Sequence, residues 1–382
     1  MRILLVTGIY PPDVGGPATY VAQLGHNLAF PGKDKATMLV TYSSVVKAPE
    51  DKKRAYMIER VVRGNKLLNR PRFFIRVIKL LRANKYDVIY MLDWFAAGAP
   101  AALAAKIYGV PYVVRVGGDY LWEQRYLESG KEPLSLADFY KKRLHKKYPL
   151  LFLIIKWVLG NASHVIFNSD RQRGLYEKYY ELKKTSTIYN PVPGVILINK
   201  DAIPDKKDFV FWGRFIVMKN LNTLVRAFAK AKLPEGYTLT LIGDGPRKNE
   251  ITSLIKDLHV DGRVKCLNSI PRGQVWDMVK DSRALIITSW TDISPNTIYE
   301  AMALKLPALV SKENYLSFHD ELPEMIDPYS ADDIANKLEM LADDNKYMSF
   351  AAKFSSIKFE HTWDDVVQEH KKIFETVTHK KI

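Results

Sequence analysis

The stretch DFVFWGRFIVMKNLNTLVRAFAKA, residues 208–231, decides how the chain is read. Phe209 to Trp212 is a short apolar run that breaks at Gly213, and an amphipathic helical pattern begins just after Lys219. A buried strand feeding a helix through a short turn is the repeating unit of a parallel α/β sheet. Arg214 and Lys219 lie in that turn, at the mouth of the helix, where the macrodipole already disfavours positive charge. Two cations at such a place call for an anion supplied from elsewhere.

The same unit recurs on both sides of this stretch. Strand candidates in the first half are ILLVTG (3–8), TMLVTY (37–42), VIYML (88–92), YVVRV (112–116) and HVIFNS (164–169). Those in the second are DFVFWG (208–213), TLTLIG (238–243), VKCL (264–267), ALIITS (284–289) and PALVS (307–311). Each set predicts a five-stranded sheet wound on both faces. The intervening Pro- and Lys-rich segment reads as a linker at 191–207. The expected organisation is an N-terminal domain over 1–190, a C-terminal domain over 208–360, and a helix within 361–382 packing back towards the first domain. Thr362 is a plausible N-cap for that helix. In open sheets of this kind ligands bind beyond the carboxyl ends of the strands.

Composition narrows the class. The chain has 382 residues, 47% of them hydrophobic and 12% aromatic, which suits two globular domains. Lys and Arg number 57 against 42 Asp and Glu, a formal charge of +15 that favours anionic partners. Cys266 is the single cysteine, so an intramolecular disulfide is excluded and a reducing compartment is expected. Ile3–Val6 is too short for a signal-peptide core, and PLLFLIIKWVLG (149–160) falls well short of the ~20 residues of a spanning helix. A cytoplasmic protein, able to lie on the inner face of a membrane, is the expectation.

Three places carry the chemistry. Gly15-Gly16 precedes a helix that begins near Pro17, where free backbone amides face any anion. No GxGxxG fingerprint and no Walker loop is present there. Arg214 and Lys219 form the second-half counterpart, a bidentate guanidinium and a point charge suited to a diphosphate. The third is TSWTDISPNTIYEAMALKLP (288–307), with Ser294 an N-cap candidate, Pro295 a first helical residue and Glu300 on the helix. Asp292 and Glu300 share one loop-helix unit, so they are poorly placed to flank a bond as a hydrolase acid/base pair. Binding sugar hydroxyls suits them better. The eight histidines show neither metal-ligand nor triad spacing, and no metal site is predicted.

Taken together, DISPNTIYE followed by AMALKLP, with YPPDVGGPATYV, GVPYVVRVGGD, NASHVIFNSD, VFWGRF, LTLIGDGP and TWDDVVQEH, resembles the retaining glycosyltransferases of family 4 over nearly the whole chain. The resemblance implies the GT-B fold, two Rossmann-like domains facing across a cleft that holds a nucleotide-diphosphate sugar. By it, the Gly15-Gly16 turn brings the Gly16 amide to the donor diphosphate. Arg214 and Lys219 bind the diphosphate and stabilise the leaving nucleotide. Glu300 accepts hydrogen bonds from the ribose, Asp292 with the amides of Ile293, Ser294 and Pro295 holds the sugar, and Gly213, Gly243 and Gly245 line the nucleotide side. UDP- or GDP-sugar is the expected donor, with no cofactor required, and a glycan or lipid-linked precursor the expected acceptor. Transfer with retention would rest on positioning and fixed charge rather than on a protein nucleophile.

This chain departs from the family pattern at three points. Asp292 stands where the motif has Glu, and Lys305 where a glycine is usual. Where many members carry a histidine, the chain has VGGDYLWE, and Asp119 is the nearest candidate to act on sugar or acceptor, with Asp93 a second acidic group.

Two basic amphipathic stretches, 69–85 and 139–157, are candidates to meet an anionic membrane. Crossover helices with one charged face would look much the same. Two other classes stay open: a sugar-nucleotide epimerase or non-catalytic binder of the same fold, and a basic nucleic-acid-binding protein. No zinc finger, RNP-type stripe or basic arm accompanies the charge, so no nucleic-acid partner is expected.

Overall fold

The computed structural model describes residues 1–13, 15–28, 37–194, 206–293 and 295–379, so most of the expected linker and Ser294 lie outside the described residues. Two compact units are formed: Met1–Leu121 with Arg143–Tyr189 and the segment from Trp363, and Trp122–Lys142 with Asn190–Thr362.

The first unit holds seven parallel strands: β1 (Ile3–Thr7), β2 (Thr37–Ser43), β3 (Met57–Val62), β4 (Val88–Met91), β5 (Tyr112–Val116), β6 (His164–Phe167) and β7 (Thr185–Thr187). Their order across the sheet is β3-β2-β1-β4-β5-β6-β7. The central strands are buried on both faces, which is why they read as unbroken apolar runs rather than alternating ones. Helix Gly16–Leu28 buries Val21, Leu24 and Leu28 against the sheet. The C-terminal helix Trp363–Thr378 adds Val366, Val367 and Phe374 to the same core, and His370 Nε2 lies 2.7 Å from the Tyr90 hydroxyl.

Six parallel strands make the second unit: β8 (Asp208–Trp212), β9 (Thr238–Ile242), β10 (Val264–Leu267), β11 (Ala284–Ile287), β12 (Ala308–Ser311) and β13 (Met325–Ile326). Their order is β10-β9-β8-β11-β12-β13. Helix Leu221–Lys230 packs Leu224, Val225 and Phe228 onto a core that also takes in Phe209, Leu241, Ile286, Leu338 and Leu341. Each sheet thus reverses its winding once, between β1 and β4 in one unit and between β8 and β11 in the other. A ligand crevice in a Rossmann-like sheet opens at that reversal.

Two expectations are corrected. The sheets have seven and six strands rather than five each, because β3, β7 and β13 escape the apolar pattern. All three are edges: β3 carries Glu59 and Arg60, β7 is three residues of Thr and Ser, and β13 is two residues long. Residues 122–142, expected within the first domain, belong to the second unit. They are tied there by polar contacts: the Leu136 amide donates to Thr291 Oγ1 at 2.9 Å and the Ser135 amide to the Tyr329 hydroxyl at 2.6 Å.

Candidate functional site at the β8–β11 reversal

Three glycines shape the loop that leaves β8. Gly213, Gly243 and Gly245 have φ of 145°, 159° and 154°, backbone that side chains rarely adopt. The reason is close packing of two loops. A Cβ on Gly243 would stand 1.9 Å from the Gly213 carbonyl oxygen, and one on Gly245 2.4 Å from that of Phe215. The Phe215 amide donates to the Asp244 carbonyl at 2.8 Å, and the Arg247 amide returns a bond to Phe215 at 3.1 Å. These glycines therefore let the turns after β8 and β9 zip together. Arg214 is thrown outward, exposed and without an ion pair among the described residues.

The loop then forms one 3₁₀ turn, Val217–Lys219, and Asn220 adopts a left-handed φ of 53°. Asn220 Nδ2 donates to the carbonyls of Thr288 and Pro328, and Thr288 Oγ1 donates back to those of Lys219 and Asn220. The end of β8 is thereby stitched to the end of β11. The stitching delivers Lys219 Nζ to within 2.8 Å of Asp292 Oδ2, which also accepts from Ser289 Oγ at 3.1 Å. Asp292 itself is fixed by backbone pairing with Glu313 and Tyr315. So of the two cations in the turn, one is matched by a carboxylate of the chain and the other is not. An ammonium has three N–H donors, and Lys219 keeps two for a ligand.

Glu300 stands on helix Asn296–Ala303, nearly buried, with both oxygens engaged. Oε1 meets Arg272 Nη2 at 2.8 Å, and Oε2 accepts from Trp212 Nε1 at 2.7 Å. Arg272 also lies over the Trp276 ring at 4.7 Å. Oε2 also accepts from Trp276 Nε1 at 3.5 Å, so the position left for a ligand hydroxyl is on Oε1. Trp212, Arg272 and Trp276 were not singled out from the sequence. The signal was slight: an indole ending an otherwise aliphatic and Phe-rich strand, and a cation at the first position of a helix.

Pro295 is not the first helical residue; it occupies the cap position, and the helix starts at Asn296. Proline has no backbone N–H, so it cannot join a row of amides at 293–295. Ile293 is buried, and Ser294 is outside the described residues. Lys305 does adopt the left-handed conformation, at φ 51°.

Gly15, Gly16 and Asp119 lie in the first unit. Gly16 opens its helix, and the Gly15 carbonyl accepts from the amides of Ala18 and Thr19. Asp119, just past β5, is buried and accepts from the Tyr176 hydroxyl at 2.7 Å. Asp93, just past β4, accepts from the amides of Phe95 and Ala96 at 2.6 and 2.8 Å, closing the turn into helix Gly98–Tyr108. Burial pushes its carboxyl up, against the pull of those amides and of Arg70. Among the described residues no His, Cys, Asp and Glu side chains gather in threes where a metal ion could be held.

Comparison with known proteins adds to this geometry. A family model for Glycosyltransferase Family 4 matches residues 14–193, and one for Glycosyl transferases group 1 matches 197–356. An uncharacterized glycosyltransferase of Methanocaldococcus jannaschii is 26% identical over 61% of this chain and 57% of its own length. The chain thus aligns with little more than half of that relative. The UDP-Gal:alpha-D-GlcNAc-diphosphoundecaprenol alpha-1,3-galactosyltransferase of Escherichia coli is 25% identical over 69% of this chain and 68% of its own. The crystal structure of Anabaena HepE in complex with UDP superimposes with a TM-score of 0.74 at 17% identity, covering 98% of this chain and all of that one. The fold is GT-B.

Proposed function

This chain belongs with the GT-B glycosyltransferases, its halves matching a family 4 and a group 1 domain, and on that premise we propose that it transfers a sugar with retention from a nucleotide-diphosphate sugar to an acceptor hydroxyl. The observation that carries the reading is the pairing at the β8–β11 reversal. Lys219 is held by Asp292 while Arg214, five residues earlier in the same loop, has no ion pair among the described residues, at the place where a parallel sheet binds its ligand. In the proposed step the acceptor oxygen bonds to the anomeric carbon as the bond from that carbon to the diphosphate oxygen breaks. The hydroxyl proton passes to the departing phosphate oxygen on the same face, so configuration is kept. Arg214 and the free N–H groups of Lys219 meet the charge that develops on the diphosphate. Glu300 receives a ribose hydroxyl. Asp292 orients Lys219 and borders the sugar, and Asp119, in the first unit, steers a substrate hydroxyl. HepE binds UDP, which makes UDP the first nucleotide to try, with GDP next.

The E. coli relative acts on a diphosphoundecaprenol acceptor, which supports a lipid-linked acceptor here. A surface of the first unit fits such a substrate. Helix Pro149–Gly160 exposes Leu150, Leu153 and Trp157 along one face, and the adjoining helix Gly98–Tyr108 exposes Leu103 and Ile107. Lys106 bridges the two, donating to Asn161 Oδ1 at 2.7 Å, and exposed Arg143, Lys146 and Lys147 precede the patch. Apolar tips ringed by cations match an anionic bilayer surface. No helix among the described residues is long and apolar enough to cross one. Flotation with anionic vesicles, lost in Leu153→Ser and absent with neutral vesicles, is the expected result.

The transfer reading is tested by calorimetric titration with UDP, GDP and ADP, repeated on Arg214→Ala and Glu300→Ala. One nucleotide should bind, and both variants should weaken it about tenfold or more. Failure of all three to bind would remove the proposal. Product formation without any acceptor would favour an epimerase instead.

A further inference from the structure

At the carboxyl edge of the first unit's sheet, four side chains converge that the proposed transfer step does not use. Arg63 follows β3, donating through Nη1 to Asp13 Oδ2 at 2.6 Å and through Nη2 to the Gly8 carbonyl at 2.9 Å, across the end of β1. Arg70 and Arg72 stand on the first turns of helix Lys66–Ala83. The Arg70 guanidinium lies 4.1 Å over the Phe95 ring, just beyond β4. The fourth is Tyr42, next to last in β2, its ring 4.5 Å from Phe73 of that same helix.

Two properties of this group point to a ligand. The Tyr42 hydroxyl is buried without a hydrogen-bond partner among the described residues, although buried polar atoms are nearly always satisfied. Arg70 and Arg72 are exposed and carry no ion pair among the described residues, so their donors are free. The four are also close to one another electrically. Burial first, and Asp93 second, push the Tyr42 phenol up to about 12, while Arg70, Arg63 and Arg72 pull against them. The phenol therefore remains an O–H donor at neutral pH. An unsatisfied donor, two free guanidinium forks and a third fork beside them describe a receptor for a tetrahedral oxyanion.

We propose that this edge binds a phosphate or diphosphate carried by the acceptor, with Arg70 and Arg72 gripping its oxygens, Tyr42 donating to it and Arg63 adding to the field. Calling the ligand an acceptor rests on the transferase reading; the anion site itself does not. It is separate from the donor diphosphate site, which the proposed function places in the second unit at Arg214. The phosphate has two chemical sources, a lipid-linked diphosphate or a soluble phosphorylated glycan.

The test uses the whole chain with UDP saturating, titrated calorimetrically with inorganic pyrophosphate and separately with farnesyl diphosphate. Pyrophosphate should bind beside UDP, tenfold or more weakly in Arg70→Ala and in Arg72→Ala, and severalfold more weakly in Tyr42→Phe. Tyr42→Phe removes a hydroxyl that bonds to nothing described, so the fold should survive it. Arg214→Ala should weaken UDP and leave pyrophosphate binding alone once UDP is raised to saturation. Tighter binding of farnesyl diphosphate than of pyrophosphate assigns the lipid-linked source, and equal binding the soluble one. No diphosphate binding beside UDP, or binding indifferent to Arg70, Arg72 and Tyr42, overturns the proposal. If UDP fails to bind while Arg70→Ala still weakens pyrophosphate, the donor reading falls and the anion site stands.

Discussion

Separating Lys219 from Asp292 is the perturbation whose size the structure sets most directly. The charged atoms are 2.8 Å apart, with side-chain exposures of 14% and 3%. At an effective dielectric of about 20 the attraction is about 6 kcal/mol, of which desolvation of the two ions cancels roughly half. Removing one partner strands the other with little water, a loss of about 3 kcal/mol. Ser289 Oγ is the one remaining side-chain donor to Asp292 among the described residues once Lys219 is gone. Removing both leaves no unpaired charge, so the double variant should lose clearly less than the two single losses added. The expected coupling is about 2–3 kcal/mol, near the upper end of measured pairwise terms. At about 2–4 °C per kcal/mol, each single variant should melt roughly 6–12 °C lower. Thermal and urea unfolding of Lys219→Met, Asp292→Ala and the double variant, followed through tryptophan fluorescence, would measure it. Strictly additive losses would refute the argument, since they would mean the two charges do not act on each other. Turnover should fall in all three variants, because Lys219 would be misplaced or missing in each.

Other consequences follow from the same geometry. Lys305→Gly relieves a left-handed residue but loosens the unfolded chain, for a net stabilisation of about 0.5–1 kcal/mol in urea unfolding. Trp212→Phe and Arg272→Ala should each reduce the preference for UDP over 2′-deoxy-UDP by about tenfold, because Glu300 would lose a donor that orients it. Equal preference in variant and parent would dismiss that role. His145 and His164 are both lowered, chiefly by burial and secondly by Lys146 and Lys184 respectively. The unfolded chain then binds protons more readily than the folded one. Their contribution is intact above the ordinary histidine value of about 6.5 and is lost as pH falls below it. Melting measured between pH 7 and 5 should accordingly fall less steeply in His164→Phe than in the parent.

What the sequence disclosed follows burial. Strands such as Leu4–Val6 or Leu285–Ile287 are covered on both faces, so their apolar runs announced them. The edges β3, β7 and β13 face partners on one side only; polar residues concealed the first two, and a length of two residues the third. At the site, the motif marked Asp292 and Glu300 without saying what holds them. Lys219 is 73 positions from Asp292, and Arg272 reaches Glu300 from a separate helix, so both pairings are products of the sheet order. Trp212 reads as core until its Nε1 is seen bonded to Glu300. Tyr42 reads as a strand residue until its hydroxyl is found with nothing to bond. Residues 122–142 carry no strand, and short polar contacts, not a periodic pattern, decide which unit they join.

The path of the chain between the units bears on how the protein is made. It passes from one to the other at Leu121, Lys142, Tyr189 and Thr362, and ends in the unit where it began. Val366, Val367 and Phe374 complete the first core, yet the main part of the second unit separates them in sequence from the strands they pack on. The first unit must wait through synthesis of the second with part of that core uncovered, although most of it is translated earlier. The second unit can close before the first does. Domains that fold in order of appearance avoid such a delay. Here the nascent chain carries part of a core uncovered for the length of an entire unit, and deleting helix Trp363–Thr378 would leave that part uncovered permanently.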